Sequence, residues 1–185
     1  MRKQKVIRYI FLFVLIGSLV LNYYLYEENG GLRKSKGWEY KSTVGLALFN
    51  IRQDDVDFWI ESLQEEEDYI GFGRYLGELE RFSREIHRMN GKISVIGMAI
   101  DAMEKKYYEL ASRIRNGEDY QDQREYIKHH LTFIIETLEY VEDELNNSSS
   151  KHWYKELRNH DSQLSQDVWD RFKEFEEKYL LKKAG

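Results

Sequence analysis

Apolar residues recur in alternating three- and four-residue steps through the middle of the chain. Phe72, Tyr75, Leu79, Phe82, Ile86, Met89, Ile93, Ile96, Ile100, Met103, Tyr107, Leu110 and Ile114 follow one another without a missed step. This heptad seam places one apolar stripe along an α-helix, as in a coiled coil or a long bundle helix. Asn90-Gly91 lies in the middle of it, and that dipeptide signals a turn. Yet the seam keeps phase across the pair, and one helical glycine costs only about 1 kcal/mol. The pattern therefore predicts one continuous or kinked helix from about 74 to 115, with a two-helix hairpin as the rival.

Beyond it, Asn116-Gly117 follows Arg113 and Arg115, the residues expected at a helix C-terminus. Asp119 is placed to cap the next helix, whose seam is Tyr120, Ile127, Leu131, Ile134, Leu138, Val141 and Leu145, with Arg124 in the missing place. The polar run Asn146 to Ser150 ends that helix and caps its successor. A last helix is expected over about 151–182, carrying Trp153, Leu157, Leu164, Val168, Phe172, Phe175 and Tyr179, with Asn159 to Ser162 as an interruption. Lys182 and Lys183 are favourable at its end. Upstream, Ser42 or Thr43 can cap a helix running to about Asp68. Val44, Leu48, Ile51, Phe58, Trp59 and Leu63 fit its face, although Val44, Leu46 and Leu48 also alternate like a strand. Gly71 and Gly73 are the expected break after it.

The N-terminus has no periodicity because almost every position is apolar. The run from Tyr9 to Tyr26 carries no charge. At about 1.5 Å per residue it is roughly 27 Å long, close to the hydrocarbon thickness of a bilayer. Arg8 can snorkel at one end, and Tyr23, Tyr24 and Tyr26 suit an interface at the other. No small-x-small pair marks a cleavage site, so a retained signal-anchor is expected rather than a cleaved signal, and the run is long for a buried core helix. The expected anchor residues are Tyr9, Phe11, Leu15, Leu19, Tyr23, Tyr24 and Tyr26. Arg2, Lys3, Lys5 and Arg8 make residues 1–8 a short basic tail, expected on the cytoplasmic side with the bulk of the chain outside. Arg33, Lys34 and Lys36 on the far flank weaken that bias. Residues 27–41, with three glycines and mixed charge, read as a juxtamembrane linker, and residues 42–185 as a helical domain.

Composition agrees with helices. Charged residues make up 33% of the chain and proline is absent, which removes the main breaker of helix interiors. Cysteine is absent too, and that excludes disulfides, thiol nucleophiles and thiolate metal sites. Of the 28 Lys and Arg, four lie in the first eight residues, so the remaining 24 face 33 acids. That balance disfavours nucleic acid as a partner.

Candidate chemistry is thin. Gly71, Gly73 and Gly77 have G-x-G-x-x-x-G spacing, which misses the dinucleotide fingerprint. His152, Glu156 and His160 share a helical face, but they span about 12 Å, too far for one metal ion. Glu125 and His129 stand at i, i+4 rather than the Glu-x-x-His spacing of di-iron bundles, and His129 and His130 point apart. The acid runs Glu65 to Asp68 and Glu136, Glu139, Glu142, Asp143 and Glu144 read as solvated faces. Overlapping Asn146 and Asn147 sequons matter only in a secretory eukaryotic setting.

The expectation is thus an all-α chain: one transmembrane helix, then an antiparallel bundle or coiled-coil-like domain with one long central helix. Its packing seam is Tyr75, Leu79, Phe82, Ile86, Met89, Ile93, Ile96, Ile100, Met103, Tyr107, Leu110 and Ile114. Such a chain is expected to be a membrane-tethered, non-enzymatic interaction or scaffold domain, without cofactor, metal or catalytic residues. It would bind a protein partner or itself through its seams. Tyr108, Phe133, Tyr140 and Trp169, off the main stripes, would widen the apolar surface. A helical-bundle sensor holding a small ligand is the alternative.

Overall fold

The computed structural model describes the backbone of residues 2–65 and 68–184 and the side chains of 11–65 and 68–178. Glu66 and Glu67 of the acid run lie outside the described residues, as do the side chains of Tyr9, the basic tail, Tyr179, Lys182 and Lys183. Among the described residues the chain is all-helical, with no strand: α1 (Arg2–Asn50), α2 (Asp55–Gln64), α3 (Tyr69–His87), α4 (Ser94–Asn116), α5 (Gln121–Leu145), α6 (Ser150–Arg158) and α7 (Gln163–Ala184).

The long helix is α1, not the central one. Residues 27–41, expected as a linker, are helical throughout and join the apolar run to the body without a break. The reason is a periodicity carried partly by glycine. Gly30, Gly37, Val44 and Ile51 recur in seven-residue steps, with Tyr40 and Ala47 between them. Gly37, Tyr40, Val44, Ala47 and Ile51 are buried, mainly against α6 and also against α5 and α3. Gly37 is required there. A Cβ on it would fall 1.6 Å from the Ser150 carbonyl oxygen. The α1 and α6 backbones therefore approach more closely than any side chain permits.

The helix expected from Ser42 to Asp68 is in fact the end of α1 plus α2. The chain turns at Arg52, whose N–H donates to the Asp55 carboxylate at 2.9 Å. Gly71 and Gly73 do not break the chain either; both lie inside α3. Asp68 accepts from Gly71 N–H at 2.6 Å, and a Cβ at residue 71 would strike that carboxylate. The bond satisfies one of the unpaired donors at the start of α3.

The seam of residues 72–114 is folded in two at Asn90-Gly91, so the expected continuous helix gives way to the hairpin α3–α4. Asn90 takes φ 62°, in the left-handed region that Asn tolerates. A Cβ on Gly91 would lie 1.9 Å from the Leu157 carbonyl oxygen, so the α6 backbone passes directly over the turn. Met89 and Ile93 nonetheless stay buried. A turn this short lets both arms face one core, so the heptad phase survives a reversal of direction. Where the arms meet, the Ser83 hydroxyl donates to the Gly97 carbonyl at 3.0 Å.

The later boundaries follow their local signals. α4 stops with Gly117 at φ 68°, the left-handed conformation that ends many helices. The Asp119 carboxylate accepts from Gln121 N–H at 3.2 Å, and Ser149 accepts from His152 N–H at the start of α6. The expected interruption at 159–162 separates α6 from α7. Among the described residues six helices thus follow α1, where four or five were expected.

Candidate functional site

The twelve seam positions are spent inside the fold. Leu79, Phe82, Ile86, Met89, Ile93, Ile96, Ile100, Met103, Tyr107 and Leu110 are buried, and Tyr75 and Ile114 are half-buried against them. Of the four off-stripe aromatics, Phe133 is buried and stacks on Phe175 at 4.6 Å, Trp169 packs by Phe172, and the Tyr140 hydroxyl donates to Asp167 at 2.6 Å. Only Tyr108 of the four remains exposed.

The positions expected to form an anchor show the opposite. Phe11, Leu15, Leu19, Tyr23, Tyr24 and Tyr26 are all exposed, and every side chain from 11 to 29 is exposed with them. A core helix buries its apolar stretch; this one is covered by nothing among the described residues. α1 is thus the one helix among the described residues long and apolar enough to cross a membrane.

Where α1 enters the body, α6 crosses it. Trp153 anchors α6: its ring is fully buried and its indole N–H donates to the Leu145 carbonyl at 2.8 Å. Tyr154 stacks on Tyr40 at 6.0 Å, and Lys41 donates to the Asn146 carbonyl. Beside this crossing a cavity of 420 Å³ is lined by Arg33 of α1 and by Lys151, Tyr154, Lys155, Arg158 and Asn159 of α6 and its end. The Arg158 guanidinium donates to the Tyr154 hydroxyl at 2.7 Å, while none of the four cations is in an ion pair among the described residues. No family model matches the chain, and no curated protein or solved structure matches it.

The other titratable clusters act as fastenings. Asp57 accepts from Arg124 and Lys128, each at 2.8 Å, joining α2 to α5; the Arg124 hydrogen bond chiefly holds its carboxyl below the ordinary range. Tyr75 and Tyr107 meet hydroxyl to hydroxyl at 3.4 Å beside Asp55, and burial raises all three pKa values. Ser83, Asp101 and His87 come together, but Asp101 stands between hydroxyl and imidazole. In a hydrolase the imidazole must touch the hydroxyl to take its proton, so this order does not activate the serine. His130 is buried, stacked on Tyr126 at 4.0 Å and bonded to the Tyr126 carbonyl; burial pushes its pKa down to about 4, so it is neutral at pH 7.

His160 falls beyond the end of α6, so His152, Glu156 and His160 do not share a helix. Among the described residues no three of His, Asp and Glu are grouped to hold a metal ion. A second stripe lies beside that one. Lys151, Lys155 and Arg158, at i, i+4 and i+7, form a basic face that needed no structure to find.

Proposed function

We propose that this chain is a membrane-tethered, non-enzymatic helical bundle that docks a protein partner, with α1 as a single-pass anchor and the body on the extracytoplasmic side. The observation that carries the reading is the contrast along α1. Its apolar run is exposed from Phe11 onward, while one face of the same helix is buried in the body from Gly37. Leaving so much contiguous apolar surface in water is unfavourable by roughly 25 calories per mole for each Å², and a bilayer removes that cost. With the long seam buried internally, a partner would have to use exposed side chains, and on the outer face of α1 Trp38 and Phe49, 67% and 70% exposed, offer such a surface.

Removing residues 1–26 should release the protein from membranes while helicity and cooperative unfolding persist. A photo-crosslinker at Phe49 in the full chain should capture a protein. Capture of lipid alone, or of nothing, sinks the docking role. Orientation is read separately: Ser148→Cys, the only thiol in a chain without cysteine, should react with a membrane-impermeant maleimide on intact cells.

A second reading has one observation in its favour. A 300 Å³ cavity between α4, α5 and α7 is lined by Met98, Ala102, His130, Phe172 and Phe175 among others. Apolar walls with few polar groups are the make-up of a small-ligand site. A ligand bound there would raise the melting temperature in proportion to the logarithm of its concentration.

A further inference from the structure

We propose that the cavity between α1 and α6 binds the phosphate of an anionic lipid headgroup. This rests on α1 being inserted in a bilayer, as proposed above.

Its chemistry comes first. Arg33, Lys151, Lys155 and Arg158 surround one 420 Å³ concavity, drawn from two helices far apart in sequence. No carboxylate is paired with any of them among the described residues. That is unusual in a chain whose acids outnumber its basic residues, 33 to 28. Four cations held together repel one another, and an anion between them relieves that repulsion. A phosphodiester supplies one negative charge and acceptor oxygens for charge-assisted hydrogen bonds, to which the planar guanidinium of Arg33 can bind in a fork.

Height along α1 selects the source of that phosphate. The Lys151 ammonium lies 3.2 Å from the position a Cβ would take on Gly30. Gly30 is four residues past Tyr26, so about 6 Å further along the helix axis. The headgroup layer outside the hydrocarbon is about 5–8 Å deep on each side. Arg33 starts about 10 Å past Tyr26, and its side chain can reach back toward the surface. A lipid whose phosphate sits here lays its acyl chains along the exposed apolar run of the same helix. Free phosphate gains nothing from that run.

The test uses the full chain. Flotation with pure phosphatidylcholine vesicles comes first, and the protein is expected to float. In neutral-detergent micelles, native mass spectrometry should then show one phosphatidylglycerol retained per chain in preference to phosphatidylcholine, with no adduct from inorganic phosphate at equal concentration. Combining Arg33→Gln, Lys151→Gln and Lys155→Gln should weaken that retention about tenfold or more. A matched set, Lys105→Gln, Lys173→Gln and Lys178→Gln, should leave it unchanged, and melting curves report that both sets fold. Failure to float overturns the tethered reading and the lipid assignment with it. Floating without a phosphatidylglycerol preference, equal loss in both variant sets, or equal binding of inorganic phosphate overturns the site alone.

Discussion

The two halves of α1 have the same backbone and opposite surroundings. From Phe11 to Asn29 every side chain is exposed; from Gly37 to Asn50 the helix contributes to the core. Glycine reads the difference most directly. At Gly37 an added Cβ would collide with the α6 backbone, whereas at Gly31, six residues earlier, it would meet nothing within 4 Å. Helix formation here is not a property of either half alone. The packed half fixes the helix in the body, and the other half continues it because each further residue adds a hydrogen bond without a new nucleation cost.

The largest expected break in this comparison is removal of residues 1–26, which should abolish co-sedimentation with membranes and leave the melting temperature of the body nearly unchanged. Next is Trp153→Ala. It removes the fully buried ring that holds α6 against α1. The loss should cost about 3–5 kcal/mol in denaturant unfolding without altering membrane association. Acid should also act on the body alone. Burial lowers the His130 pKa from 6.5 to about 4 in the folded state. The stability tied to it is therefore complete above the ordinary value and falls as pH drops through the folded one, by up to about 3 kcal/mol for full titration. His130→Phe should remove that part of the acid sensitivity, measured as the change in slope of unfolding free energy against pH. The finest contrast is within α1. Gly37→Ala should destabilise by about 1–3 kcal/mol through overpacking, and Gly31→Ala should stabilise by up to about 1 kcal/mol through helix propensity. Equal effects at the two positions would contradict the asymmetry.

Much of this fold could be read from the sequence, and what could not has physical causes. The seam from Tyr75 to Ile114 identified core residues because burial follows the heptad phase whichever way the chain runs. The same phase hid the hairpin at Asn90-Gly91, since two arms folded onto one core keep the pattern of one long helix. The Leu157 carbonyl that selects glycine at residue 91 is more than sixty residues away, beyond any local window. The helical continuation through 27–41 is hidden from local sequence for a related reason. Glycine reads as a breaker unless another backbone lies against it, and Ser150 does so only in three dimensions. The candidate site was half visible, as the basic face of Lys151, Lys155 and Arg158; its fourth member, Arg33, is supplied by the crossing of α1 and α6.

One unbroken helix also makes α1 behave as a screw. Each residue added between Tyr26 and Gly30 lifts the body about 1.5 Å and turns it about 100°. Height and azimuth are therefore geared to each other by chain length. Adding seven residues, about two turns, raises the body by about 10 Å yet leaves it facing nearly the same way. Adding two shifts its height by only about 3 Å and points the cavity of Arg33 and Lys151 almost to the opposite side of the helix. An insertion series over residues 27–29 can thus separate what depends on distance from the apolar run from what depends on direction around it.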